Sequence, residues 1–180
     1  MFDETYSNKS IITGSSIHFR DLEECDLRNL FDIMGWTRFL EIDEIYYPNL
    51  IRIFYTNLFV SGRVLISRLC GKNVCISCEE LAHVLEISFG GLDLTKTTLE
   101  NFSYSEGQSI ESASALIHGD NNTCLKTNEN VVHFTLLCQI LAKIIIHNIM
   151  AIAGEFGKAI GCITSHMYCV LTSQPTIFLL

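Results

Sequence analysis

The sequence predicts a mainly α fold of the α+β kind, a compact helical domain with one small β-hairpin. Three observations lead there. Apolar residues recur at helical spacing in several segments separated by Gly and Pro. Two short β-favouring runs flank one glycine-containing turn. The 180 residues are 48% hydrophobic and only 18% charged, which suits one core and leaves little room for a second domain. With two prolines, and Leu, Ile, Val and Phe recurring throughout, the chain is neither a disordered tail nor a collagenous or low-complexity segment.

Residues 1–20 hold Ser, Asn, Thr and Gly without periodicity and are expected to form a mobile N-terminal segment ahead of a single domain, 21–178. Leu27, Leu30, Phe31 and Met34 fall at i, i+3, i+4 and i+7, the face of a short helix, with Asp21 or Asp26 as N-cap and Gly35 as the stop. Trp36, Phe39 and Leu40 follow at once, so the turn itself is expected against the core. Pro48 suits the first turn of a second helix, about 48–59, whose apolar residues are Leu50, Ile51, Phe54 and Leu58. Val64-Leu65-Ile66 and Val74-Cys75-Ile76, either side of Gly71-Lys72-Asn73, read as the hairpin, which needs helices to pack on.

Ser77-Cys78-Glu79-Glu80 has the S-x-x-E form of a capping box, in which Ser77 accepts from the Glu80 amide and Glu80 reaches back to the Ser77 amide. The helix it opens carries Leu81, Val84 and Leu85, with Ile87 in line and Gly90-Gly91 as its end. From 92 to 130 the chain is polar and aperiodic, which predicts a flexible insertion with one short helix near Ile110–Ile117. A long helix from about 130 to 152 then ends near Gly154. A connector with Gly154, Gly157 and Gly161 leads to a last short helix carrying Met167, Val170 and Leu171, which Pro175 stops. The apolar end Ile177-Phe178-Leu179-Leu180 is expected to continue into a longer reading frame.

The stretch Val131–Ala153 is apolar over the length a bilayer requires. Thr135, Gln139, Lys143 and His147, however, fall every four positions and mark one wet stripe, so the reading is a core helix and no membrane partner. Twenty acidic against twelve basic residues give a net charge of −8, without a block of five or six like charges. Phosphate binding draws on clustered cations, so the balance argues against a nucleic-acid partner. The acidic start Met1-Phe2-Asp3-Glu4 lacks the basic and apolar regions of a signal peptide. An intracellular setting, cytoplasm or nucleus, with eight reduced cysteines, is the expectation.

Among motifs that carry chemistry, Cys75-x2-Cys78-x4-His83 matches the first three ligands of a zinc knuckle, and Ser88 stands where the fourth belongs. Closing a tetrahedral site would take Cys70 or a distant cysteine. The plainer reading makes Cys75 and Cys78 small core residues and His83 a helix-flank residue, with redox pairing of the two thiols as a further alternative. Cys162, His166 and Cys169 offer one helix face too few ligands for a metal clip. Gly154-Glu155-Phe156-Gly157-Lys158-Ala159 fails as a phosphate loop, because Ile152 replaces the leading glycine and Ala159 the magnesium-binding hydroxyl. The pairs Glu23-Glu24 and Glu79-Glu80 sit where carboxylates favour helix N-termini. No nucleophile elbow, H-E-x-x-H helix or Asp-Thr/Ser-Gly turn occurs, so no catalytic, cofactor-binding or metal residue is assigned, and only a site dispersed in sequence would escape this reading.

Gly35-Trp36 with Phe39-Leu40, then Tyr47-Pro48, Phe54-Tyr55-x-Asn57-Leu58, Gly71-x-x-Val74-x-Ile76-Ser77 and Glu80-Leu81-Ala82-x-x-Leu85-x-Ile87 form an ordered series. Towards the C-terminus come the apolar helix 131–150, Ser165-His166-Met167-Tyr168, Leu171 and Gln174-Pro175. The order and spacing resemble the plant transposon protein domain of plant retrotransposon open reading frames, described as envelope-like or gag-related, over most of 21–178. The resemblance implies a mainly helical module derived from a mobile element, with no catalytic residues to carry over. The expected function is therefore a structural or protein-interaction module without catalysis, small molecule or cofactor, working through a protein partner or self-association. The alternative is a zinc-dependent nucleic-acid-binding module using Cys75, Cys78 and His83.

Overall fold

The computed structural model describes residues 16–87, 91–94, 102, 109–126, 128–150, 158–159, 161–174 and 176–177. Among them helices predominate and a three-stranded antiparallel sheet is the largest β element, the mainly α plus small β architecture that the sequence predicts. Helix α1 (Leu27–Met34) buries Leu27, Phe31 and Met34, three of its four expected face residues. Asp26 stands at its N-cap with φ +47° and makes no side-chain cap, since capping uses an extended backbone at that position. The preceding residues Phe19–Cys25 wind as a 3-10 segment. Gly35, at φ +70°, ends α1: its N–H donates to Asp32 C=O (3.1 Å) and that of Trp36 to Phe31 C=O (2.9 Å). This left-handed closure folds Trp36 and the single turn α2 (Thr37–Leu40) under the helix, with the Trp36 ring stacked 6.2 Å from Phe31 and Leu40 buried.

The centre of the core is the C-terminal helix α7 (Gly161–Leu171), eight of whose residues in succession, Ile163 to Val170, are buried. A helix buried all round needs neighbours all round. Here α1, α5 (Ile110–His118), α6 (Leu136–Ile144) and the π-helical turn Ile145–Ile149 supply them. Its polar side chains bond back to their own helix: Thr164 and Ser165 hydroxyls donate to Gly161 C=O (2.8 and 3.0 Å), and His166 Nδ1 lies 2.7 Å from Cys162 C=O. Ser173 at φ +56° closes α7, with Gln174 N–H donating to Cys169 C=O at 2.8 Å, so the helix ends at Leu171 ahead of the expected stop Pro175.

The apolar run expected as one helix from about 130 to 152 is divided. Glu129–Asn130 (β5) pairs antiparallel with Lys158–Ala159 (β6), and Val131–His133 makes a 3-10 turn. Thr135, expected on the wet stripe, is instead the N-cap of α6, its hydroxyl accepting from Cys138 N–H (3.4 Å). Lys143 is exposed as expected, but so is Leu136, at 68%. The Gly154 and Gly157 of the connector lie outside the described residues. Among the described residues no helix is long and apolar enough to cross a membrane.

Segment 92–130, expected as a flexible insertion, contributes Leu94, Phe102, Ala113, Ile117 and Leu125 to the core. Leu92–Asp93 (β4) pairs in parallel with Thr176–Ile177 (β7), and α5 matches the short helix expected near 110–117. Buried Ser114 joins two parts of the segment, donating to Ile110 C=O (2.6 Å) and accepting from Leu125 N–H (3.0 Å). Gly119 ends α5 at φ +77°, where a Cβ would sit 2.8 Å from the Thr135 methyl.

Candidate functional site

A second region, built on residues 42–87, is organised differently. Helix α3 (Pro48–Thr56) starts with Pro48 at its first position, as expected, but ends three residues early. Asn57 closes it, its side-chain amide donating to Ile53 C=O (2.9 Å) and Arg68 C=O (3.3 Å). Phe59–Ser61 is thereby released to form strand β1, and the expected hairpin becomes a meander with β2 (Val64–Leu69) and β3 (Lys72–Ser77). Cys70 and Gly71, at φ +49° and +82°, form the two-residue β2–β3 turn and set Leu69 opposite Lys72. The turn is one residue earlier and tighter than Gly71-Lys72-Asn73, because two-residue hairpins favour positive φ at both central positions.

Ser67 Oγ donates to Phe54 C=O (2.7 Å), which turns that face of β2 to α3. By alternation Phe59, Ile66 and Cys75, which are register partners across the three strands, line the opposite face. That face is open. Phe59 is 57% exposed, Cys75 is exposed and Ile66 half-buried; at the edge, Val60 is 63% exposed. Helix α3 buries no residue, and the lead-in Ile45-Tyr46-Tyr47 is exposed as well. The wet face of an antiparallel sheet ordinarily carries polar residues, so this apolar row is an exception that points to contact.

At the end of β3 the capping box forms as expected: Ser77 N–H donates to Glu80 Oε2 (2.7 Å) and Glu80 N–H to Ser77 Oγ (3.1 Å). The same bonds hold the Glu80 carboxyl below its ordinary pKa. The resulting helix α4 (Cys78–Val84) stops well before Gly90-Gly91, because Glu86 takes φ +53° and Ile87 N–H donates to Ala82 C=O (2.9 Å). Arg38 of α2 pairs with Glu86 at 3.1 Å, lowering the Glu86 pKa and raising its own. This contact links the sheet region to the helical core.

The charge of this region is invisible in the overall count. Between Glu44 and Glu79 the sequence has no Asp or Glu, but has Arg52, Arg63, Arg68 and Lys72. Arg52, Arg68 and Lys72 make no ion pair among the described residues. Arg52 bonds only the neutral Asn49 side chain (3.3 Å), and its Nε is buried with no hydrogen-bond partner. A net charge of −8 argues against a nucleic-acid partner but does not reveal this acid-free run, which is read from the sequence directly.

No family model, curated protein or solved structure matches the chain. The knuckle-like residues are spread out: Cys75 is exposed on β3 rather than in the core, Cys78 is half-buried in the first turn of α4 and His83 is exposed on that helix. Among the described residues no group of three His, Cys, Asp or Glu is placed to hold a metal ion. Ser88 and residues 154–157 of the glycine-rich loop lie outside the described residues. All eight cysteines are free thiols. Burial raises the Cys138 and Cys162 pKa values and pushes Cys169 up to about 12, keeping these thiols protonated and unreactive. His166, on α7 with Cys162 and Cys169, has its pKa lowered by burial.

A groove of about 450 Å³ lies between His18, Phe19, Arg20, Asp21, Arg28 and Glu41. Arg28 is committed there to Glu41 (3.2 Å), to Asp32 (3.8 Å) and to the face of Phe19, 5.9 Å from the ring centre. Among the described residues, no serine, threonine or cysteine lines it. The sheet region is therefore the better candidate site, and what it offers is an exposed apolar row with Arg68 on the same face.

Proposed function

We propose that the chain is a structural or protein-interaction module derived from a mobile element, acting by contact rather than catalysis, with the open face of β1–β3 as its contact surface. The observation that carries this reading is the Phe59–Ile66–Cys75 row, apolar and uncovered on a sheet whose other face already rests on α3. The mobile-element origin rests on the resemblance of residues 21–178 alone. The zinc-dependent alternative gains nothing from the separate positions of Cys75, Cys78 and His83.

Size-exclusion chromatography with light scattering, up to protein concentrations on the order of 100 μM, tests the reading through mass action. Wild type is expected to exceed the monomer mass as concentration rises, and the double variant Phe59→Ser/Val60→Thr to remain monomeric. Monomers for both proteins, or the same oligomer for both, would overturn it.

A further inference from the structure

Strand β3 is an edge of its sheet, and its outer side is unguarded. Just beyond the β2–β3 ladder, Cys78 N–H donates to Arg63 C=O (3.1 Å). Backbone groups alternate in direction along a strand, so those of Lys72, Val74 and Ile76 also turn to β2, while those of Asn73, Cys75 and Ser77 point away from it. Two contacts agree. Ser77 N–H is taken by the Glu80 carboxylate (2.7 Å), and Arg68 C=O, opposite Asn73, accepts from the Asn57 side chain (3.3 Å) ahead of β1. The N–H and C=O of Asn73 and Cys75 therefore face outward. Both residues are exposed, and among the described residues no hydrogen bond reaches these groups. Edges are ordinarily blunted by proline, a bulge or several charges. This one has no proline, its six register pairs run without a bulge, and Lys72 at its start is its one charged residue.

We infer that β3 pairs antiparallel with β3 of a second copy, about a two-fold axis at Val74. The inference rests on the open-face contact proposed above and adds a second contact to it. In an antiparallel ladder, hydrogen-bonded residues directly opposite each other exchange both of their bonds. With Val74 on the axis, Asn73 lies opposite the second copy's Cys75 and Cys75 opposite its Asn73, so every outward donor meets an acceptor. Moving the axis to Cys75 would set Asn73 C=O against the other Ser77, whose N–H already belongs to Glu80. The capping box thus selects the register. Like charges are not brought opposite, because Lys72 faces Ile76 across the new pair. Hydrogen bonds at a wet edge gain little over those to water, and one pairing of short strands is marginal, so the edge does not hold two copies alone. It joins pairs already held at their open faces. Two different two-fold contacts per chain are what a tetramer of D2 symmetry uses.

Light scattering of the full chain at rising concentration, up to on the order of 100 μM, tests this by mass action. Asn73→Pro removes an outward N–H and spares the β2–β3 ladder, and an edge strand accepts proline at such a position. Wild type is expected to rise to about four times the monomer mass, Asn73→Pro to stop at about twice, and Phe59→Ser/Val60→Thr to stay at the monomer. Wild type that stops at the pair, or Asn73→Pro that grows as wild type does, overturns the inference and leaves the open-face contact standing. A monomer at every concentration removes both proposals together. Disulfide capture with diamide reads the register separately, in Val74→Cys/Cys75→Ser and Ile76→Cys/Cys75→Ser. Residues opposite each other on the axis lie about 4.5 Å apart between Cα atoms, within the reach of a disulfide, so chains are expected to cross-link through position 74 and not through position 76. Equal cross-linking at the two positions, or none at position 74, overturns the pairing about Val74.

Discussion

Helices α7 and α3 are both rich in apolar residues, and the fold treats them oppositely. Ile163 to Val170 of α7 are buried without a break, whereas α3 buries none of its nine residues and packs chiefly against β2. The difference lies in neighbours. Around α7 stand α1, α5, α6 and the π turn, so even its Thr, Ser and His are desolvated and must bond to their own backbone. Around α3 there is one small sheet, whose far face is open. Apolar composition alone therefore does not mark the core. What remains apolar and exposed once the core is closed is where the proposed contacts are placed.

Breaking the core should show the largest effect. Met167→Ala, at a site with no exposure, is expected to lower unfolding free energy by about 2–5 kcal/mol in a denaturant titration. Glycines sharpen the same contrast. Gly119→Ala meets both a positive φ and the Thr135 methyl, and should destabilise by about 1–3 kcal/mol, whereas Gly62→Ala, at φ +62° with open space around it, should cost about 1 kcal/mol. Equality of the two would show that the close approach at Gly119 is relieved without strain.

His166 gives the core a pH dependence of its own. Burial lowers its folded pKa below the ordinary 6.5, so on acidification the unfolded chain takes up the proton first. Its contribution is complete above that value and is lost as pH falls towards the lowered folded pKa, with a slope of at most about 1.4 kcal/mol per pH unit. Thermal melts between neutral and mildly acid pH should fall less steeply for His166→Gln than for wild type. The smallest effect is expected at the open face: Phe59→Ser should leave unfolding free energy within about 0.5 kcal/mol of wild type while abolishing association. A large loss of stability there would make Phe59 a core residue in all but exposure.

Local signals with their own chemistry were legible in the sequence: Gly35 as a stop, Pro48 as a start, and Ser77 with Glu80 as a capping box. Boundaries set by tertiary contact were not. Glu86 ends α4 in a glycine-like conformation that no residue preference announces, held beside Arg38 from a distant part of the chain. Phe59-Val60-Ser61 continues an apolar helical pattern and becomes a strand only because Asn57 caps α3 against the backbone of β2. The run from Val131 is apolar on too many sides for periodicity to reveal the cap at Thr135 or the π turn beyond Ile144. Leu94, Phe102 and Leu125 reach the core from aperiodic segments, where a single apolar residue gives no pattern to read. The candidate site was half legible: the strands were visible, but their open face follows from the Ser67–Phe54 contact, and the missing acids were hidden within a net count.

Hydrogen exchange read by mass spectrometry on the full chain, dilute and concentrated, compares the two regions in one experiment. The account predicts strong protection of Ile163–Val170 at both concentrations and protection of Phe59–Ser77 that rises on concentration. Exchange in Phe59–Ser77 that is the same in both samples, or as slow as that of α7 in the dilute one, would contradict it.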